Sequence, residues 1–104
     1  MGYKHTPAPW FEVKHFSEWL ISDGTRLVAT TAGSPAHLGL AHAKRDAANA
    51  RLIAAAPDLL KAALTFEEYC DAMDAGDDVT AMLKYAEAQT ARRAAIAKAT
   101  GEPQ

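Results

Sequence analysis

The chain is 104 residues long, carries a formal net charge of -2, and is 49% hydrophobic, with alanine supplying much of that share. Such a length suits a single domain over residues 1–104 with a modest core, and the slightly acidic balance argues against a protein that coats nucleic acid. Cys70 is the only cysteine, which excludes an intramolecular disulfide and fits a reducing cytoplasm, and no apolar run approaches the roughly 20 residues needed to span a bilayer.

The opening stretch MGYKHTPAPW lacks the apolar centre of a signal peptide. Pro7 and Pro9 predict an extended segment over residues 1–9. From Trp10 the composition turns aromatic and β-branched: WFEVKHF, then EWLIS, then TRLVATT. These runs predict a three-stranded antiparallel meander over about residues 10–31, with a first turn at His15–Ser17. Asp23-Gly24 between two such runs predicts a two-residue type I′ turn, because that turn needs positive φ twice. A turn of that length pairs Ser22 with Thr25, Ile21 with Arg26, Leu20 with Leu27 and Trp19 with Val28.

Gly33, Pro35 and Gly39 punctuate a crossing loop over Ala32–His42. Beyond it the chain is organised around Ala47–Leu64, its longest patterned apolar run. Asn49, Leu52, Ile53 and Ala56 recur at the spacing of one helix face. Leu59, Ala63, Phe66, Cys70 and Met73 repeat at 4, 3, 4, 3 on another. Pro57 interrupts the two, since it lacks an N–H donor but is well tolerated in a first helical turn. The pattern therefore predicts helices at about 43–56 and 57–75, with Asn49 as a buried amide and Cys70 as a small core residue. Gly76 suits a helix C′ position, and Asp77 or Asp78 caps a third helix over about 78–100 whose apolar stripe is Val79, Met82, Leu83, Ala86 and Ile96. The expected class is α+β, with the Ala47–Leu64 pair of helices covering one sheet face and the third helix packed antiparallel to the second.

Few constellations here carry chemistry. His5, His15, His37 and His42 do not combine with the lone Cys70 at the spacing of a zinc site, so no metal and no cofactor is expected. There is no glycine-rich phosphate loop and no nucleophile with an adjacent base, so no catalytic residue and no enzyme activity is expected. Charge is more informative. Glu67, Glu68, Asp71, Asp74, Asp77 and Asp78 gather at the end of the second helix and the turn after it, a candidate surface for a basic partner. Lys84, Arg92, Arg93 and Lys98 make the third helix basic, a candidate contact for phosphate or for the acidic turn of a neighbouring subunit. The alanine-rich third helix also allows close approach of a second copy, so a homodimer through it is a further expectation.

Two segments carry a resemblance. HTPAPW at His5–Trp10 and ANARLIAAAPDLL at Ala48–Leu60 resemble the HTPGPW and ANARLIAAAPELL elements of a family of small phage and prophage proteins. The chain is also distantly similar to the Ead/Ea22-like early proteins of lambdoid phages. The likeness spans about residues 5–64, and Ala8 stands where the family usually has glycine. It implies a non-essential phage accessory protein of the host cytoplasm; taken with the acidic end of the second helix, the expected function is non-enzymatic binding and inhibition of a host defence or regulatory complex in the manner of an anti-CRISPR protein. Two other readings stay open: a sponge for a nucleotide immune signal, holding it near Arg45, Arg51 or the third-helix arginines, and a small DNA-binding regulator, against which the acidic balance counts.

Overall fold

The structure is a computed structural model and describes residues 5–16, 18–31 and 39–102. Of the crossing loop expected at Ala32–His42, residues 32–38, with His37, lie outside the described residues, as do residues 1–4 of the N-terminal segment, while Leu40–His42 belong to the first helix. Three strands, β1 (Phe11–His15), β2 (Glu18–Ser22) and β3 (Leu27–Thr31), form an antiparallel sheet in the order β1-β2-β3. Three helices follow: α1 (Leu40–Ala54), α2 (Ala56–Asp74) and α3 (Asp78–Thr100). The α+β class and its meander are as the sequence predicts.

Register is where the two hairpins depart from expectation. His15 pairs with Glu18, so the first connection is the two-residue one, and Phe16 takes φ 57 there. The second is a four-residue loop, with Ser22 opposite Leu27, Ile21 opposite Ala29, Leu20 opposite Thr30, and a bulge between Ile21 and Ser22. Asp23 accounts for the difference. Its Oδ1 accepts from the backbone N–H of Arg26 at 2.7 Å, from that of Thr25 at 2.9 Å and from the Thr25 hydroxyl at 3.1 Å. An aspartate that satisfies three donors builds its own loop, and that outweighs the tight Asp-Gly turn. The same donors, Thr25 N–H first and Arg26 N–H second, hold the Asp23 carboxyl below its ordinary pKa.

Alternation along β2 puts Trp19 and Ile21 on one face. Ile21 is fully buried there against Ala50 and Ala54 of α1, ringed by half-buried Trp10, Trp19, Val28, Ala29 and Ile53. Trp10 is fixed further by its indole N–H, which donates to the Thr6 carbonyl at 3.0 Å. Among the described residues α1 is the helix that packs on the sheet, α3 reaching it only through Lys98 over Phe11, whereas α2 packs along α3. The expected pair of helices over the sheet is therefore corrected to one. Within α1 the buried side is Ala50 and Ala54, so Asn49 and Leu52 are exposed and the expected buried amide is absent. Small alanines let α1 lie close to the β2 side chains, and the turned-out Asn49 then needs no internal partner.

The break between α1 and α2 falls at Ala55, one residue before the expected corner, and Pro57 sits in the first turn of α2. Arg51 packs its side chain under the end of α3: a Cβ on Gly101 would stand 2.8 Å from Arg51 Nε. Gly101, at φ 74, is thus both the left-handed cap of α3 and the clearance for that arginine. Extents of 58 × 27 × 18 Å and a radius of gyration of 17.0 Å describe an elongated molecule; a compact chain of this length has about 13 Å.

Candidate partner-binding surface

The hairpin of α2 and α3 forms the long end of the molecule, and its turn is closely specified. Gly76 takes φ 73, its N–H donates to the Met73 carbonyl at 3.1 Å, and the Asp77 N–H reaches back to the Ala72 carbonyl at 2.9 Å. These are the two bonds of a Schellman stop. Asp77 then caps α3 by accepting from the Thr80 N–H at 3.1 Å, and Thr80, hydroxyl first and backbone second, holds its carboxyl below the ordinary pKa.

The seam between the helices is made of small side chains at seven-residue spacing. Ala81, Ala88 and Ala95 are buried on α3, facing Thr65 and Ala72 on α2. Thr65 satisfies its hydroxyl within the helix, donating to the Lys61 carbonyl at 2.8 Å. The apolar stripe expected to be core is displaced to the flanks: Val79, Leu83 and Ile96 are exposed, and Met82 is 74% exposed. Size decides this outcome. Helices that meet on alanine approach closely, so longer side chains on either side of the seam are squeezed outward.

One flank of the hairpin is apolar. Leu59, Ala63, Phe66 and Met73 of α2 share it with Met82, Tyr85 and Ile96 of α3, as the walls of two adjoining grooves that meet at Tyr85. The larger of these open grooves measures ≈ 500 Å³. Tyr69 packs edge-on to Tyr85 at 5.3 Å between ring centroids and lies 5.6 Å from Phe66. Its α3 members, Asp78, Met82, Tyr85, Gln89, Arg92 and Ile96, repeat at 4, 3, 4, 3, 4, a legible signal masked by the expectation that Met82 and Ile96 were buried. The opposite flank is different: His5, Ala8 and Pro9 of the N-terminal segment lie along it beside Leu60, Lys61 and Leu64.

The six acidic residues divide by role. Asp77 is the cap, and Asp78 stands in the first turn of α3, where the helix dipole favours a carboxylate. Glu68 holds Lys84 at 3.1 Å, and Glu87 holds the same ammonium at 3.3 Å. Those two carboxylates, Glu68 first, raise the Lys84 pKa. Glu67, Asp71 and Asp74 remain, exposed on the side of α2 turned away from α3, and no ion pair among the described residues includes them. Nor are the basic residues gathered in one place. Lys84 and Lys98 reach across to α2, Lys98 contacting Asp58 at 3.1 Å with its Nζ 5.8 Å from the Phe11 ring centroid. Arg92 lines the apolar flank instead, and Arg92 and Arg93 enter no ion pair among the described residues.

His5 stacks edge-on to Trp10, His15 sits against Phe16 and His42 lies on α1, so these histidines are apart. Among the described residues no group of three or more His, Cys, Asp or Glu side chains is placed to hold a metal ion. Cys70 is a half-buried free thiol on α2. Among the described residues no helix is long and apolar enough to cross a membrane.

A family model described as Salmonella phage P22 protein Y8K6 matches residues 1–103. The chain belongs to that phage protein family. No curated protein and no solved structure matches it. Family membership extends the phage likeness past Leu64 into the hairpin, so the alanine seam and both its flanks lie within the matched span.

Proposed function

We propose that this phage protein is a non-enzymatic accessory factor of the host cytoplasm that binds and inhibits a host defence or regulatory complex, as an anti-CRISPR protein does. One observation carries the reading: Glu67, Asp71 and Asp74 form an exposed acidic strip on α2 that no ion pair among the described residues neutralises. Carboxylates held on a rigid helix attract and orient a basic partner, such as the nucleic-acid channel of a defence nuclease. The competing DNA-binding reading is weakened because Lys84 and Lys98 are already paired with carboxylates of α2.

Plating efficiency of a targeted phage tests the proposal, measured on a host with an active CRISPR–Cas system that expresses the chain. Expression should restore plaques, and the double reversal Asp71→Lys with Asp74→Lys should abolish that rescue while leaving helicity unchanged. Full rescue by the reversed variant would remove the acidic strip from the mechanism. If the unaltered chain gives no rescue against any defence system tried, the inhibitor reading fails.

A further inference from the structure

The apolar flank of the hairpin exposes large side chains along the side of an elongated molecule. The accessible surface is 7341 Å², whereas a compact monomer of 11.1 kDa exposes about 5,700 Å². That excess belongs to the elongated molecule as a whole; a standard dimer covers roughly 800 Å² on each partner, and the apolar flank is the part placed to supply it. Its exposed apolar side chains include Phe66, Met73, Met82, Tyr85 and Ile96, on a face that runs the length of α2, about 28 Å for 19 residues. Aromatic and methionine side chains on one rigid face are what interface centres are made of.

Charge along this face says what covers it. Asp78 lines the groove at the turn end, and Arg92 lines it fourteen residues further along α3. Tyr85 lies midway between them, seven residues from each. We infer that the face is covered by a second copy of the chain, laid antiparallel about a two-fold axis passing close to Tyr85, so that two hairpins form a four-helix bundle. In that arrangement Asp78 of each copy meets Arg92 of the other, and the contact occurs twice, as an isologous interface requires. Phe66 and Met73 flank the level of Tyr69 on α2, so the same axis brings the Phe66 of one copy toward the Met73 of the other. A parallel pairing would instead set the two acidic turns side by side, at an electrostatic cost. The sheets end up at opposite ends of the bundle, and Glu67, Asp71 and Asp74 on the back of α2 remain outside the interface. This goes beyond a pairing through α3 alone: it names the face, both helices and the orientation.

Sedimentation velocity on the full chain tests the inference. The unaltered protein should sediment at twice 11.1 kDa at tens of micromolar. Tyr85→Glu, at a position half-exposed in the monomer, should give a monomer of unchanged far-ultraviolet helicity. Asp78→Arg and Arg92→Asp should each weaken the dimer roughly tenfold through like-charge contact, and the double variant should restore it. A monomeric unaltered protein, or a Tyr85→Glu variant that stays dimeric, overturns the interface. A double variant no tighter than the single ones overturns the antiparallel orientation. Because the acidic strip stays outside the bundle, loss of phage rescue by the Asp71 and Asp74 reversals with an intact dimer separates this inference from the proposed function.

Discussion

The sheet end closes around Ile21, two tryptophans and the alanines of α1, whereas the α2–α3 hairpin closes on alanines and one threonine and leaves its large side chains outside. At the sheet end, stability comes from bulk: one large side chain removed from water, with aromatic rings around it. In the hairpin it comes from proximity, from two backbones drawn together along a seam with no bulk in it. What looks like the same raw material, an apolar helix, therefore serves opposite purposes. In α1 the apolar side turns inward to the sheet, and in the hairpin most of it faces out and is available to another molecule.

Substitutions can break or sharpen this contrast. The largest effect is expected from Ile21→Ala, which removes the one large fully buried side chain among the described residues and should cost about 2–5 kcal/mol in chemical denaturation, with a red shift of tryptophan emission. Ala88→Leu adds apolar volume yet should destabilise by about 1–3 kcal/mol, because the seam has no room for it. A stabilising Ala88→Leu would show that proximity does not hold the hairpin. Smaller again is a pH effect at two aspartates, one opening the β2–β3 loop and one capping α3. Asp23 and Asp77 both titrate below their ordinary value of 3.8, so the folded state binds fewer protons than the unfolded one. Each contributes stability at pH above 3.8 and loses it as pH falls through the lowered pKa. The stability gap between the unaltered chain and Asp77→Asn should therefore narrow in acid, and a gap unchanged down to pH 2 would deny the carboxylate its part. Smallest is Leu83→Ala, on the flank opposite Tyr85, expected to stay within about 0.5 kcal/mol although it deletes a leucine.

Element types were legible because their signals are local. Proline in a first turn, glycine at C′ and aspartate at the cap each act on their own backbone, and all three lie where the sequence puts them, near Pro57, Gly76 and Asp77. Facing was less legible. Hydrophobicity ranks Leu52, Val79 and Met82 above alanine as core residues, but whether a helix faces its neighbour with large or small residues depends on how close the neighbour comes. That distance is a tertiary quantity. The strand register was lost for a related reason: Asp-Gly favours a tight turn by backbone preference, and only the side-chain bonds of Asp23 to Thr25 and Arg26 reveal the longer loop. Of the candidate site, the acidic cluster was visible as composition, while the division between Asp77 as a cap, Glu68 as a partner of Lys84 and the unpaired strip depends on which side chains the packed helices bring within reach.

The seven-residue spacing of Ala81, Ala88 and Ala95 makes the hairpin behave like text with a reading frame. Adding one residue to α3 would rotate everything beyond it by about 100° and bring charged side chains onto the seam. Adding seven to each helix would return every alanine to its place and lengthen the hairpin by about 10 Å. Length can thus change in whole heptads while the sheet end stays as it is, so the two ends of the molecule can vary independently.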